Sequence, residues 1–184
     1  MKINPKKFAL CFWMLLITGG ITAYLFFPEK INLLFLASVS EGYYLSLSIY
    51  FILISVRGLT LIPSTPLLLA GTLFFDPVEL FIVNMAGILT SSTLVYYFSK
   101  YMGFDEYFEI KYGKYVKKIR NGLKDKELPI IVGWSFFPLV PTDLIVYIGS
   151  TLSISILKCL FGVFVGEAVL NIFYIISANI ILQP

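Results

Sequence analysis

Ile62-Pro63-Ser64-Thr65-Pro66 and Phe137-Pro138-Leu139-Val140-Pro141 are the stretches that decide how this chain is read. Both carry Pro-x-x-Pro inside apolar sequence. The first runs on to Gly71-Thr72-Leu73 and the second to Gly149-Ser150-Thr151-Leu152. Proline has no amide hydrogen and its ring clashes with the preceding turn, so two within four residues end a helix. In hydrocarbon the freed backbone groups are costly unless protein or water satisfies them, which predicts a buried site or wet cavity around each break. A break that recurs predicts a duplicated, transporter-like architecture.

The composition around the breaks identifies the solvent. Mean hydropathy is +0.87, with 58% apolar and 14% charged residues, against about 25% charged in a soluble domain. The 184 residues are therefore read as an integral membrane protein. There is no histidine, which removes His-ligated metals and Ser-His or Cys-His nucleophiles. Cys11 and Cys159 sit in apolar runs without Cys-x-x-Cys spacing and read as packing residues. Neither a metal, a cofactor nor an enzymatic activity is expected. Eight of the fourteen basic residues fall between Lys100 and Lys126, interleaved with Asp105, Glu106, Glu109 and Asp125. That mixture suits a membrane surface rather than nucleic acid.

Along the chain, lysines 2, 6 and 7 precede an uncharged run from Phe8 to Phe27. The run is long enough to span and lacks a small-residue cleavage site, so it reads as an uncleaved anchor helix. Ile31 to Ser40 is too short to span and reads as interfacial. Residues 1–42 thus form an anchor and interfacial segment, and 43–184 a membrane domain. Within that domain Tyr43 to Val56 is a second membrane helix, Leu59 to Phe75 the first broken segment, and Val78 to Ser99 a third helix started by Asp76-Pro77. Tyr101 to Glu127 is the polar stretch. Its Phe104, Phe108, Tyr112, Tyr115, Val116, Ile119 and Leu123 recur at helical steps, giving an amphipathic helix interrupted near Gly113 and ended near Asn121-Gly122. Leu128 to Leu152 is the second broken segment, and Ser153 to Leu182 the final helix.

Two half-units result, each a broken segment followed by a helix. If each broken segment enters and leaves on one side, the halves are inverted and their hairpins meet near the midplane. The same count of crossings puts the N-terminus and the basic linker on opposite faces, so the positive-inside rule does not fix the orientation.

Ionisable residues inside membrane segments are expensive and are functional candidates by default. Glu167 lies midway along the final helix, with Asn171 one turn later on the same face. Asp143 follows the second proline pair, and Arg57 precedes the first broken segment. The functional reading makes Glu167 and Asp143 proton-titrating or cation-coordinating groups, with Arg57 drawing an anionic headgroup. The structural reading has Asp143 capping a half-helix, Arg57 anchoring an interface, and Glu167 paired with Arg57 or with Lys158, which could also snorkel. Gly162-x-x-x-Gly166 allows close backbone approach beside Glu167. Ser64, Thr65 and Thr142 are placed to satisfy freed backbone groups, with the lining of a polar path as the alternative.

From about Tyr43 to Leu182 the chain resembles the DedA / SNARE-associated Golgi protein (VTT-domain) superfamily, in its small bacterial branch. The resemblance is carried by Arg57 with Pro63-x-x-Pro66, Gly71 and Phe74, by Phe137-Pro138-Leu139-Val140-Pro141-Thr142-Asp143-Leu144-Ile145 leading to Gly149, and by Phe161-Gly162 to Gly166. It implies an all-α polytopic bundle with two opposed re-entrant hairpins and an interfacial amphipathic helix. It also implies lipid flipping or scrambling, of phospholipid or polyprenyl phosphate and in some members proton-coupled, in the cell (inner) membrane. The family pattern has an arginine shortly before the second proline pair, where this chain has Ser135. Membrane lipids are the expected partners, and the sequence leaves a homo-oligomer open. The rival expectations are a small-solute or ion secondary transporter and a membrane organiser acting through the linker.

Overall fold

The computed structural model describes residues 11–15, 18–19, 22, 26, 42–138 and 140–182. Its named elements are all helical: α1 (Tyr43–Arg57) with a 3-10 turn (Gly58–Thr60), α2 (Thr65–Gly71), α3 (Pro77–Met102), α4 (Phe104–Leu123), α5 (Glu127–Ser135), α6 (Thr142–Thr151) and α7 (Ile156–Leu182). Among the described residues, three stretches are long and apolar enough to cross a membrane: Tyr43–Thr60, Pro77–Met102 and Ile156–Ile181. Large apolar side chains such as Ile52, Ile82, Phe161, Phe173 and Ile180 face outward. On a water-soluble chain such a surface would be a liability, whereas here it suits hydrocarbon.

Local chemistry sets the element ends. After α1 the chain leaves helical geometry at Leu61, which takes the left-handed conformation (φ 58°), and Pro63 bars its resumption. The Asp76 carboxylate accepts from the Val78 amide at 3.0 Å and Pro77 takes the first helical position, so α3 starts there. Gly103, at φ 73°, ends α3. The interruption expected in the amphipathic helix is a kink at Tyr112 (φ −132°, ψ 24°), next to Gly113.

The register of the helices reveals how the breaks are positioned. α1 and α3 run side by side in the same direction. Tyr43 donates to Glu79, Tyr50 donates to Asn84 Oδ1 at 2.7 Å, Ile54 packs on Gly87, and the Gly58 amide donates to Ser91 Oγ at 3.1 Å. From that level α2 brings the chain back. Gly71 packs on Leu80, and the Phe75 ring reaches Tyr43 at 5.9 Å and Tyr50 at 5.4 Å. The second half repeats the pattern. Lys158 pairs with Glu127, Gly162 packs on Ile131, and Gly166 abuts Ser135 and Phe136. α6 then returns to the level of Cys159, which packs on Gly149. The two long helices are antiparallel, since Asn84 of α3 meets Asn171 of α7 while Ser91 and Glu167 approach adjacent residues of α6, Asp143 and Thr142.

Tyr43 to Val56 forms the second helix expected, within a stretch long and apolar enough to cross a membrane, and Gly58 at its end meets Ser91 partway along α3. One expectation is corrected. Trp13, in the helical stretch 11–15, donates to the Tyr147 hydroxyl at 3.1 Å, and its ring packs on Phe98, Phe104 and Tyr147. That is the end of α3 where α4 begins, so this stretch lies at the same end of the bundle as the basic linker, not at the opposite one. Of the expected anchor, the remaining described residues 18–19, 22 and 26 are also helical. The interfacial segment 31–40 lies outside the described residues.

The core combines apolar and polar side chains. Tyr50, Ile54, Leu80, Ile88, Val95, Ile131, Val146 and Val163 are buried, and so are Asn84, Ser91, Ser92 and Ser99 along one side of α3. A hydrocarbon-facing protein buries polar groups at a cost unless they find partners. Asn84 is partnered by Tyr50 and Asn171 and Ser91 by Gly58 and Asp143, while Ser92 Oγ and Ser99 Oγ have no hydrogen-bond partner among the described residues.

Candidate functional site

Arg57 closes α1 and is 3% exposed. Its Nη1 donates to Asp143 Oδ2 at 2.7 Å and to the Ile62 carbonyl at 2.9 Å. One guanidinium thus ties the first break to the start of α6, in the second half. Ser91 donates to Asp143 Oδ1 at 3.0 Å while accepting from the Gly58 amide. A Cβ at Gly58 would collide with Ser91 and Asp143, so only glycine lets the 3-10 turn come this close. Asp143 does not cap α6, whose first turn has no side-chain cap. Its charge is instead committed to Arg57. Arg57 Nε and Nη2 are buried with no hydrogen-bond partner among the described residues.

Glu167, 1% exposed, stands on the other side of the meeting point. Thr142 donates to its Oε1. Asn171 donates to its Oε2 at 3.1 Å and to its carbonyl at 2.7 Å. Asn171 accepts in turn from Asn84, which accepts from Tyr50. A continuous polar chain therefore runs from α1 through both long helices to the carboxylate. Glu167 pairs with neither Arg57 nor Lys158, contrary to the structural reading of the sequence. Arg57 is committed to Asp143, and Lys158 is bound to Glu127.

Between the breaks lies a narrow crevice lined by Ser64, Thr65, Pro138, Thr142 and Glu167, with Phe137, Val140, Pro63 and Leu170 around them. Thr65 donates to the Pro138 carbonyl at 3.5 Å, so the two breaks touch directly. Thr142, expected to satisfy backbone, serves Glu167. Glu167 is the one ionisable residue in the lining, and the other polar groups there are hydroxyls and carbonyls.

The remaining predicted residues distribute around this point. Pro66 opens α2 and Pro141 precedes α6. Gly71 and Gly149 allow the returning arms to close on Leu80 and Cys159. A Cβ at Gly162 would lie 2.6 Å from an Ile131 methyl, and one at Gly166 would lie 2.6 Å from the Val132 carbonyl. Ser135 is fully buried, with its Cβ 2.7 Å from where a Gly166 Cβ would stand. Sequence reasoning overlooked Tyr50, Asn84 and Ser91. The signal was present: Asn84, Ser91, Ser92 and Ser99 recur at helical spacing in an otherwise apolar helix.

The VTT domain model matches residues 62–179, from the first break almost to the end of α7. No curated protein and no solved structure matches the chain.

Proposed function

The chain belongs to the VTT-domain family, the DedA/SNARE-associated Golgi superfamily, and from that membership we propose that it moves lipid between leaflets, its headgroup passing through the crevice where the two breaks meet. It is an all-helical membrane protein of a transporter-type family. The folded-back segments α1–α2 and α5–α6 are read as re-entrant hairpins entering from opposite sides. Residues 43–184 then form a multi-pass domain of the cell (inner) membrane, with 1–42 as its anchor. The observation that carries this reading is the meeting of the breaks. The breaks meet at a polar crevice that Glu167 helps to line, which supports the arrangement membrane transporters use around a substrate path.

The roles follow from the contacts. Arg57 and Asp143 hold the two breaks in register. Glu167, oriented by Thr142 and Asn171, is the group whose charge changes during the cycle. With no cation in the lining, the crevice suits a headgroup that offers hydrogen-bond donors better than a bare phosphate. Reconstituted vesicles with lipid labelled in one leaflet test the proposal. Wild-type protein is expected to speed exchange, and Glu167→Gln to slow it and abolish any response to a pH gradient. Glu167→Gln at the wild-type rate would sink the coupling role. The single carboxylate also favours one rival, a cation or small-solute transporter, which would show solute uptake with no lipid exchange.

A further inference from the structure

The ends of the bundle differ in charge far more than the sequence order suggests. Arg57 is the one described basic residue held in the core. The other nine, Lys100, Lys158 and the seven from Lys111 to Lys126, all lie at the end where α3 passes into α4 and α7 begins. Lys100 pairs with Asp105 at 2.6 Å, Lys158 pairs with Glu127, and Arg120 Nε donates to the Leu152 carbonyl at 3.2 Å, so α4 is fastened across that end. Five acids share it: Asp105, Glu106, Glu109, Asp125 and Glu127. At the opposite end, where Tyr43 meets Asp76 and Glu79, the described Asp, Glu, Lys and Arg residues are those two acids alone.

The kink at Tyr112 sharpens the asymmetry. Before it α4 carries Asp105, Glu106, Glu109 and a single lysine, Lys111, and after it Lys114, Lys117, Lys118 and Arg120. Both halves are largely exposed. Tyr115 and Ile119 stand open beside those lysines, and Val116 is the buried residue of the helix. Exposed aromatics among lysines suit a headgroup layer, and each lysine near an anionic surface is attracted to it. Trp13 lies at this same end, and lysines 2, 6 and 7 precede it closely in sequence.

We infer that the α4 end docks on the anionic cytoplasmic leaflet through the basic half of α4, with the chain beginning on that side and the α1–α2 arms opening to the outside. The conflict that crossing counts raise with the positive-inside rule is eased, because Trp13 and the linker lysines fall at one end. The inference does not depend on what the crevice carries.

Labelling with a membrane-impermeant maleimide tests it in the full-length chain carrying Cys11→Ala and Cys159→Ala. Val78→Cys, or Tyr44→Cys if that variant does not accumulate, reports the outer end, and Asn121→Cys the α4 end; all three positions are exposed. The expected result is labelling of the first in intact spheroplasts and of Asn121→Cys only in inside-out vesicles. The reverse pattern, or labelling of both sites from both sides, overturns the inference. Adding Lys114→Glu, Lys117→Glu and Lys118→Glu to each reporter is expected to make part of the population accessible from the wrong side. An unchanged pattern in that variant overturns the role given to the basic half of α4.

Discussion

At the scale of single residues, the Arg57–Asp143 pair and Glu167 carry different kinds of information. Both members of the pair are buried, with side chains 2% and 0% exposed. Asp143→Asn should therefore destabilise the protein by about 3–5 kcal/mol, the typical cost of leaving a buried charge unpaired. Replacing both, as Arg57→Met with Asp143→Leu, should recover much of that loss when unfolding is followed in detergent. Glu167→Gln can still accept from Asn171 through its oxygen while its amide donates to the Thr142 hydroxyl, which turns round, and should cost little stability while altering transport. Glycines separate in the same way. Gly166→Ala pushes a methyl into the Val132 carbonyl and Phe136 amide, backbone that cannot step aside, and should cost about 1–3 kcal/mol. Gly133→Ala meets open space in α5 and should gain up to about 1 kcal/mol through helix propensity. A shift in thermal midpoint of opposite sign for the two checks this. Asp143 was legible as a candidate because a carboxylate at depth is costly. Its partner was not, because Arg57 lies 86 residues away and no local pattern links them.

At the scale of elements, the breaks, both long helices and the amphipathic linker were readable from proline spacing, apolar length and helical period. The kink even falls within one residue of the glycine that signalled it. What the sequence could not supply was the neighbour of α1. Eleven of its fifteen residues are apolar, and nothing local in them shows that α1 runs beside α3 with Tyr50 on Asn84 and Gly58 on Ser91. The α3–α4 junction yields a pH test. Burial alone would push the Asp105 carboxyl up, but the hydrogen bond and charge of Lys100 and the amides of Glu106 and Asp105 outweigh it and hold it below the usual carboxylate range. A carboxylate held low contributes stability that is fully present above its unfolded value, about 4, and lost as pH falls through its folded value. The junction should therefore loosen only below about pH 4. With Trp134→Phe, the emission of Trp13, which packs on Phe98 and Phe104, should shift there, and Asp105→Asn should remove that transition.

For the molecule as a whole, bringing the crevice walls together permanently should stop the proposed activity. Ser64→Cys and Val140→Cys place thiols on the two breaks. A short reducible cross-linker between them should abolish lipid exchange, and reductant should restore it. The glycine contacts bear on how such a passage could widen. Ile54 on Gly87, and Ile131 and Val132 on Gly162 and Gly166, seat α1 against α3 and α5 against α7 with no room for an added methyl. These pairs act as two ribs with no slack for sliding. α2 and α6 are shorter struts, each reaching across to the opposite rib, and each is joined to its own rib through residues that carry no regular helix, Leu61–Ser64 and Phe136–Pro141. An opening motion, if the proposed passage widens, would hinge at the prolines and have to release the single guanidinium that Arg57 extends to Asp143 on the far strut.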